Sequence, residues 1–171
     1  MDHELLIKAF ENESNTCIIE TSHSEIKKKK NDILQKLQIK GIELKKMHAT
    51  LVGYKYIDDI RDLCIGRYVR WISLKRSDNK ISLTNGAHIC NINIDYIPVS
   101  DDDDVDDDNY HDNYITAYEK DEPLECKSCV RCKVVRCGKV LFFNLNFEEN
   151  LFFQKITEQE WVILDALEYL K

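Results

Sequence analysis

The chain has 171 residues, 43% of them hydrophobic, and contains only five glycines and two prolines. This composition excludes a globally disordered chain or a collagen-like repeat, and the length suits one domain with an insertion or tail. The net charge of -7 is unevenly distributed, because residues 95–125 hold thirteen acidic residues and one lysine, which leaves the rest of the chain at +5.

The apolar runs are too short for a membrane protein. A membrane-spanning helix needs about 20 consecutive apolar residues, and no run here approaches that length. The first residues lack the basic stretch and apolar run of a secretory signal, so we expect a protein that is not secreted. Seven cysteines are present. Without export they favour free thiols or a metal site over a disulfide framework.

The N-terminal part of the chain is predicted to be helical. Ser22 and Glu25 form a capping-box pattern at the start of a helix over residues 22–47. Four apolar residues fall on one face of this helix: Ile26, Ile33, Leu37 and Leu44. Gly41 is expected to bend the helix or to divide it in two. We therefore assign residues 1–50 to an N-terminal helical region.

Residues 51–171 are predicted to form an α+β domain. Residues 51–66 are interpreted as a short helix or turn that leads into a sheet. Strands are then favoured by aromatic and β-branched residues, and the predicted strands are residues 67–74, 81–97, 133–137, 139–147 and 151–156. In the second of these, alternation directs the even-numbered residues toward the core, namely His88, Cys90, Ile92 and Ile94.

A helix is predicted to close the chain. Thr157 and Glu160 form a second capping box, and Trp161, Leu164 and Leu167 make the expected buried stripe. The predicted fold class is therefore α+β: N-terminal helices, an antiparallel sheet of about five strands arranged as a meander or small barrel, and a C-terminal helix.

An acidic segment interrupts the predicted sheet. Seven aspartates lie within residues 101–108, and like charges at this density repel one another. We therefore predict a disordered surface insertion at residues 99–125. Three tyrosines recur in it every four residues, Tyr110, Tyr114 and Tyr118, a spacing that would suit a helix formed on a partner.

Four cysteines lie close together in the sequence: Cys126, Cys129, Cys132 and Cys137. Four thiolates bind zinc tetrahedrally, and a Cys-x2-Cys pair supplies one half of such a site, so zinc is the candidate cofactor. Zinc ribbons normally have two such pairs about 12 to 20 residues apart, and that separation is missing here. His88, Cys90 and His111 are candidates to complete the site. The alternative is a basic loop whose cysteines are free and reactive.

Six residues combine basic and aromatic side chains: Arg67, Tyr68, Arg70, Trp71, Lys75 and Arg76. Such a set can bind phosphates, stack on bases or contact a protein partner. In the alternative interpretation the aromatic residues pack in the sheet and the basic residues are a solvated face. No known nucleic-acid-binding module matches the sequence.

Common catalytic signatures are missing from the sequence. It contains no Gly-rich phosphate loop, no Gly-x-Ser-x-Gly elbow and no His-Glu-x-x-His motif. The five histidines are scattered along the chain. We therefore predict that the chain is not an enzyme.

Four segments carry a resemblance to known proteins: residues 53–59, 66–72, 83–86 and 151–160. They resemble a group of small, largely uncharacterised proteins encoded by giant nucleocytoplasmic large DNA viruses, over roughly residues 51–97 and 133–170. A composition rich in Lys, Ile, Asn and Asp agrees with an AT-rich viral genome. The resemblance implies a location in the host cytoplasm, at the viral factory, or in the virion, and it supplies no catalytic residues.

Two functional hypotheses follow from the sequence. The first is a non-enzymatic interaction or structural module that binds another protein through its strands and acidic arm. The second is a nucleic-acid-associated factor of transcription or replication, stabilised by zinc. No membrane partner is expected under either hypothesis.

Overall fold

The computed structural model describes residues 3–75, 81–94, 128–136 and 138–170. The helices are α1 (His3–Glu11), α2 (Thr16–Ile19), α3 (His23–Lys36), α4 (Gly41–Thr50) and α5 (Glu158–Tyr169). The strands are β1 (Tyr54–Ile57), β2 (Tyr68–Ser73), β3 (Ala87–Ile94), β4 (Ser128–Arg136), β5 (Lys139–Asn146) and β6 (Asn150–Lys155). Short 3₁₀ helices lie at Glu13–Asn15 and Ile60–Asp62.

The strands form one antiparallel sheet in the order β1-β6-β2-β3-β4-β5. The predicted α+β class, with helices first and a closing helix, is confirmed, and the described sheet has six strands in place of about five. The order is not a simple meander, because β6 lies between β1 and β2 and pairs with both. Strands β1 and β5 are the two edges, so the sheet is open.

Residues 51–66 were predicted to be a short helix or turn. This was wrong for the four residues of β1, whereas a short helix does lie at Ile60–Asp62. Tyr54 pairs with Lys155 and Ile57 with Phe152. In a four-residue segment, the apolar pattern is too short to distinguish the two-residue repeat of a strand from the 3.6-residue repeat of a helix. The strand conformation of β1 is set by β6, which lies close to the other end of the chain.

Both predicted capping boxes are present. The Glu25 amide donates to Ser22 Oγ at 3.3 Å, and the Ser22 amide donates to Glu25 Oε2 at 2.9 Å. Thr157 and Glu160 form the matching pair at the start of α5. The predicted helix over residues 22–47 is divided into α3 and α4, and α4 begins at Gly41 as expected.

The sheet curls strongly about its concave face. Trp71 on β2 and Phe143 on β5 contact each other, with ring centroids 5.6 Å apart. Two strands lie between them, so a flat sheet would separate them by about 14 Å, at roughly 4.8 Å per strand. The curl encloses an apolar core whose most deeply buried members are Val69, Ala87, Ile89, Val130, Cys132 and Phe152.

Two further apolar clusters attach the helices to the sheet. On the convex face, α3 and α4 cover β1, β6 and β2 through Leu34, Met47, Leu51, Ile72 and Phe153. Helices α1, α2 and α5 share the second cluster, formed by Ala9, Ile18, Ile26, Ile156, Ile163 and Leu164. No described helix makes an extensive contact with β3, β4 or β5. The convex face of these three strands is therefore the uncovered part of the described sheet.

A β-bulge explains why the predicted phase of β3 was wrong over its first half. Ala87 and Ile89 are buried and His88 is exposed, the reverse of the expected alternation. The pairing with β4 shifts between Ile89 and Asn91, and after the shift Ile92 packs against the concave core as predicted. Side chains of a strand alternate between its two faces, so one extra residue exchanges the faces of all residues beyond it. Nothing in the sequence marks the position of the bulge.

Two more sequence predictions concern the end of the chain and the insertion. In α5, Leu164 is buried and Leu167 packs beside it, but Trp161 is partly exposed and stacks on His23. The predicted acidic insertion at residues 99–125 lies outside the described residues. Among the described helices, none combines the length and apolar character needed to cross a membrane.

We predict that Gly86→Ala destabilises the fold by at least about 2 kcal/mol. Gly86 has a φ of +96°, and a Cβ at this position would lie 2.5 Å from the Val69 carbonyl oxygen and 2.7 Å from the Tyr68 ring. The Val69 backbone is fixed by pairing with β6, so it cannot yield. Urea unfolding measures the difference.

Gly41→Ala is the matched control. A Cβ at Gly41 meets nothing within 4 Å. Alanine in a helix stabilises the fold by up to about 1 kcal/mol relative to glycine, so Gly41→Ala should be at least as stable as the parent chain. If both variants were as stable as the parent chain, the close packing of β2 against residue 86 would be wrong.

Candidate functional site

The structure separates the two described members of the predicted cysteine cluster. Cys129 and Cys132 lie three positions apart on β4, so their side chains point to opposite faces of the sheet. Cys132 is a free thiol buried in the concave core, whereas Cys129 is disulfide-bonded. Two residues on opposite faces of one strand do not form a Cys-x2-Cys half-site in this conformation.

The four-cysteine zinc site as a whole stays a prediction. Cys126 and Cys137 lie outside the described residues, and so does His111. Within the described ranges, no group of three or more His, Cys, Asp or Glu side chains is placed to hold a metal ion. The expectation of free thiols holds for Cys17, Cys64, Cys90 and Cys132, and it is wrong for Cys129, which is disulfide-bonded.

The predicted set of basic and aromatic residues points in several directions. Arg67 is directed inward, with its guanidinium 3.5 Å from the carboxylate of the buried Glu160. Trp71 packs against Phe143 in the concave core. These two side chains make interior contacts and are not available to bind a partner.

The other members lie on or beyond the opposite face of β2. The Tyr68 hydroxyl donates to the Asn85 carbonyl oxygen at 2.6 Å, and the Arg70 guanidinium lies over the Tyr54 ring. Lys75 pairs with Glu149 at the surface, and Arg76 lies outside the described residues. The described members therefore do not form one shared binding surface.

A different surface lies on the convex face of the β4–β5 hairpin, and we call it the outer hairpin face. It consists of Arg131, Lys133, Val135, Val140 and Phe142. Val135 is paired with Val140 and Lys133 with Phe142, and the Arg131 guanidinium lies 5.5 Å from the centre of the Phe142 ring. The exposed fractions of Val135, Val140 and Phe142 are 65%, 53% and 56%, so this face is apolar and open to solvent.

The outer hairpin face has one sign of charge. Strands β4 and β5 contain four basic residues, Arg131, Lys133, Arg136 and Lys139, and no acidic residue. Strand β3, on the other side of β4, has no acidic residue either. This surface would attract an anionic partner.

Strand β5 also has a free edge. It pairs with β4 along eight residues, and no described strand lies on its other side. Alternate amide and carbonyl groups along that edge have no ladder partner in the described part of the chain. An extended peptide can pair with such an edge.

A buried polar cluster lies at the other end of the molecule, where α5 meets β1. Glu160 is fully buried, and its Oε1 accepts from Lys55 Nζ at 3.1 Å. Its Oε2 accepts from the Thr157 amide at 2.7 Å and lies 3.5 Å from the Arg67 guanidinium. Asn15, also fully buried, accepts from Arg67. The capping carboxylate is thus the centre of an interior ion-pair network.

Two thiols border this network. Lys55 Nζ lies 3.2 Å from Cys17 Sγ, and the Cys64 side chain hydrogen-bonds to Cys17. The hydrogen bond from Cys64 and the charge of Lys55 outweigh burial and lower the pKa of Cys17 to about 6. The same hydrogen bond and burial raise the pKa of Cys64. Burial would lower the pKa of Lys55, but Glu160 and Cys17 raise it, so the ammonium stays charged.

The sequence carries little sign of this cluster. Cys17 and Cys64 lie far apart along the chain, and Glu160 was predicted only as a capping residue. Glu160 offered the one available signal, because Ile156, Ile163 and Leu164 lie about one helical turn from it, which places its side chain on the apolar side of the helix. Nothing in the sequence indicates that Lys55 is that cation, because β1 itself was not predicted.

Comparison of the chain with family models, with curated protein sequences and with solved structures finds no match. The function is therefore argued from the geometry of the chain itself.

We predict that Glu160→Gln lowers the free energy of unfolding by about 3–5 kcal/mol, because it removes the permanent counter-charge of the buried Lys55 ammonium. Glu168→Gln makes the same chemical change on the exposed side of the same helix, 3.7 Å from His23, and should cost less than about 1 kcal/mol. Urea unfolding compares the two. Equal effects would mean that the buried pair does not hold α5 on the sheet.

We also predict that ionisation of Cys17 stabilises the fold above neutral pH. Its folded pKa of about 6 lies below the value of about 8.5 in an unfolded chain. The contribution is therefore fully present above about pH 8.5 and is lost as the pH falls through 6. The charges that act on Cys17 are those of Lys55 and Glu160, and Lys29, Asp58 and Asp62 line the cavity beside it. Cys64 does not ionise in this window, because its pKa is raised.

The measurement is the thermal midpoint of the parent chain and of Cys17→Ser from pH 6 to 8. The parent midpoint should rise more steeply with pH than that of Cys17→Ser, while Cys90→Ser follows the parent. Parallel curves for the parent and Cys17→Ser would contradict the argument.

Proposed function

We propose that this chain is a non-enzymatic protein-interaction module that binds an extended, acidic segment of a partner along β5. The observation that carries the proposal is the free edge of this eight-residue strand next to the exposed apolar and basic outer hairpin face. The partner segment would add a strand to the sheet.

The edge of β5 lacks the features that usually prevent strand addition. Natural edge strands are kept short, bulged, charged or interrupted by proline. Strand β5 is longer than the common length of about five to six residues. It contains no proline, pairs with β4 without a register shift, and has one charged residue, Lys139, at its start. Its backbone groups are therefore available for pairing with an extended peptide.

The side chains define the chemistry of the partner segment. Val140 and Phe142 project from the convex face of β5, so alternate residues of an added strand would lie beside them. Exposed apolar side chains there favour apolar residues at these positions. Arg131 and Lys133 lie on the same convex face of the neighbouring strand β4, and neither strand of the hairpin has an acidic residue. Since alternate residues of a strand point to opposite faces, the complementary segment has apolar and acidic residues together on the side that faces outward.

Nucleic acid is the second candidate, and the all-basic charge of the hairpin is the observation that favours it. Single strands are normally bound by several aromatic side chains on which successive bases stack. The outer hairpin face has one, Phe142, and the Arg131 guanidinium already lies over its ring. A free strand edge has no role in such binding. A peptide accounts for both the edge and the side chains.

The test uses the full chain and a fluorescent peptide long enough to span β5, with valine and glutamate both placed at positions on its outward-facing side. Its binding is measured by fluorescence anisotropy. We predict that Val140→Glu weakens binding at least about tenfold, a loss of roughly 1.4 kcal/mol. Val52→Glu is the matched control, since Val52 is 74% exposed on the loop after α4, and it should bind like the parent.

Two competitors distinguish the candidates. The same peptide with alternate backbone nitrogens methylated keeps its charge but cannot complete a ladder, so it should not compete. A single-stranded oligothymidine should compete only weakly at physiological salt. Equal competition by the methylated peptide would overturn strand addition. Tight oligothymidine binding that weakens steeply with salt would instead identify the chain as a nucleic-acid-binding protein.

The resemblance to giant-virus proteins stays a prediction, and so does a location at the viral factory or in the virion. An interaction module that recruits an acidic segment of a viral or host protein is compatible with either place.

A further inference from the structure

Two free thiols that are far apart in the sequence meet where α2 approaches the sheet. Cys17 lies on α2, and Cys64 follows the 3₁₀ helix Ile60–Asp62. Their side chains hydrogen-bond to each other, and both are partly exposed. The fold therefore places two thiols in contact, with solvent access to both.

A fixed positive charge stands beside one of the two thiols. Lys55 Nζ lies 3.2 Å from Cys17 Sγ and 3.1 Å from Glu160 Oε1. Because Glu160 is fully buried and anchored by the Thr157 amide, the ammonium is held in place. A held cation favours the thiolate of Cys17, which is the nucleophilic form.

The second thiol is set up to remain protonated. The Cys64 Sγ donates to the Asp62 carbonyl oxygen at 3.8 Å, and the neighbouring Cys17 and burial raise the pKa of Cys64. The Cys64 amide is fixed by Gln154 Oε1 at 2.9 Å. The two thiols therefore differ in role: one is a thiolate, and the other carries a proton next to it.

A small cavity opens onto Cys17. It has a volume of about 60 Å³, and its lining includes Cys17, Thr21, Lys55 and Tyr56. A cavity of this volume has room for a small molecule next to the Cys17 sulfur, and Lys29, Asp58 and Asp62 also line it. The site therefore suits a small oxidant.

We propose that Cys17 and Cys64 are a peroxide-reactive thiol pair, in which Cys17 attacks a small hydroperoxide and Cys64 closes a disulfide with it. The proposal is independent of the binding function assigned to β5, which lies at the other end of the sheet.

The reaction proceeds in two balanced steps. The Cys17 thiolate attacks the terminal oxygen of the hydroperoxide: an S–O bond forms, the O–O bond breaks, and the leaving oxygen takes a proton from solvent to give water or an alcohol. Cys17 is oxidised by two electrons to a sulfenic acid. The Cys64 sulfur then attacks Cys17: an S–S bond forms, the S–O bond breaks, and the Cys64 proton leaves with the hydroxyl as water.

The other described free thiols serve as internal references. Cys132 is buried in the concave core, and burial, with a smaller effect of Cys90, raises its pKa to about 12. Cys90 is partly exposed like Cys17, but no described lysine or arginine pairs with it. Cys90 is therefore the matched comparison for reactivity, and Cys132 is the unreactive limit.

The first experiment treats the fully reduced chain with a slight excess of hydrogen peroxide at pH 7, followed by alkylation, digestion and peptide mass spectrometry. The expected product is a disulfide between Cys17 and Cys64 that forms before Cys90 is oxidised. In Cys64→Ser the reaction should stop at a Cys17 sulfenic acid that dimedone traps. In Cys17→Ser, Cys64 should stay reduced.

The second experiment needs no variant and so does not depend on the folding of one. Labelling rates of Cys17 and Cys90 by methyl methanethiosulfonate are compared at pH 6. At pH 6 about half of Cys17 is thiolate, a far larger fraction than in an ordinary thiol, and the weaker nucleophilicity of the more acidic thiol offsets only part of this advantage. The net expectation is about tenfold faster labelling of Cys17.

Either of two results would overturn the proposal. One is labelling of Cys17 at pH 6 no faster than that of Cys90. The other is peroxide oxidation that leaves Cys17 and Cys64 unlinked in the parent chain while other thiols are consumed.

Discussion

The carboxylate of Glu160 is the point at which the helical layer and the sheet are tied together. One of its oxygens accepts from Lys55 on β1, and the other accepts from Thr157 at the start of α5 and faces Arg67 before β2. Burying these charges is costly and is offset only while all partners are present. Apolar contacts alone would let α5 slide along the sheet, but a carboxylate with distinct partners on each oxygen fixes one position.

The helices cover only one end of the sheet, and the two ends consequently serve different purposes. At the β1 end, α3, α4 and α5 bury both faces and enclose the polar network. At the β5 end, the curl fills the concave side with the sheet's own side chains, as the contact of Trp71 with Phe143 shows. The convex side there needs no cover for stability, which leaves Val140 and Phe142 exposed. A buried interior at one end and an exposed apolar surface at the other thus follow from one asymmetric architecture.

Local signals in the sequence predicted local structure, and long-range contacts decided the rest. Ser22 with Glu25 and Thr157 with Glu160 each satisfy helix donors within four residues, so both helix starts were predictable. Strand β1 and the bulge in β3 depend on partner strands far along the chain and were not. The candidate sites follow the same rule, since the cysteine spacing suggested a metal knuckle, whereas Cys129 and Cys132 belong to an extended strand. Cys17 meets Cys64 only after the sheet has formed.

Lys55 connects the stability of the fold to the chemistry of its thiols. The ammonium serves two anions, the permanent Glu160 carboxylate and the Cys17 thiolate. A disulfide between Cys17 and Cys64 would remove the second anion and leave the first, so the interior charge would stay compensated. Cys17 can therefore be oxidised without leaving the buried Lys55 ammonium unpaired. A lysine held by the thiolate alone would lose its only counter-charge on oxidation. The position of Glu160 is what allows a reactive thiol to lie this close to the core.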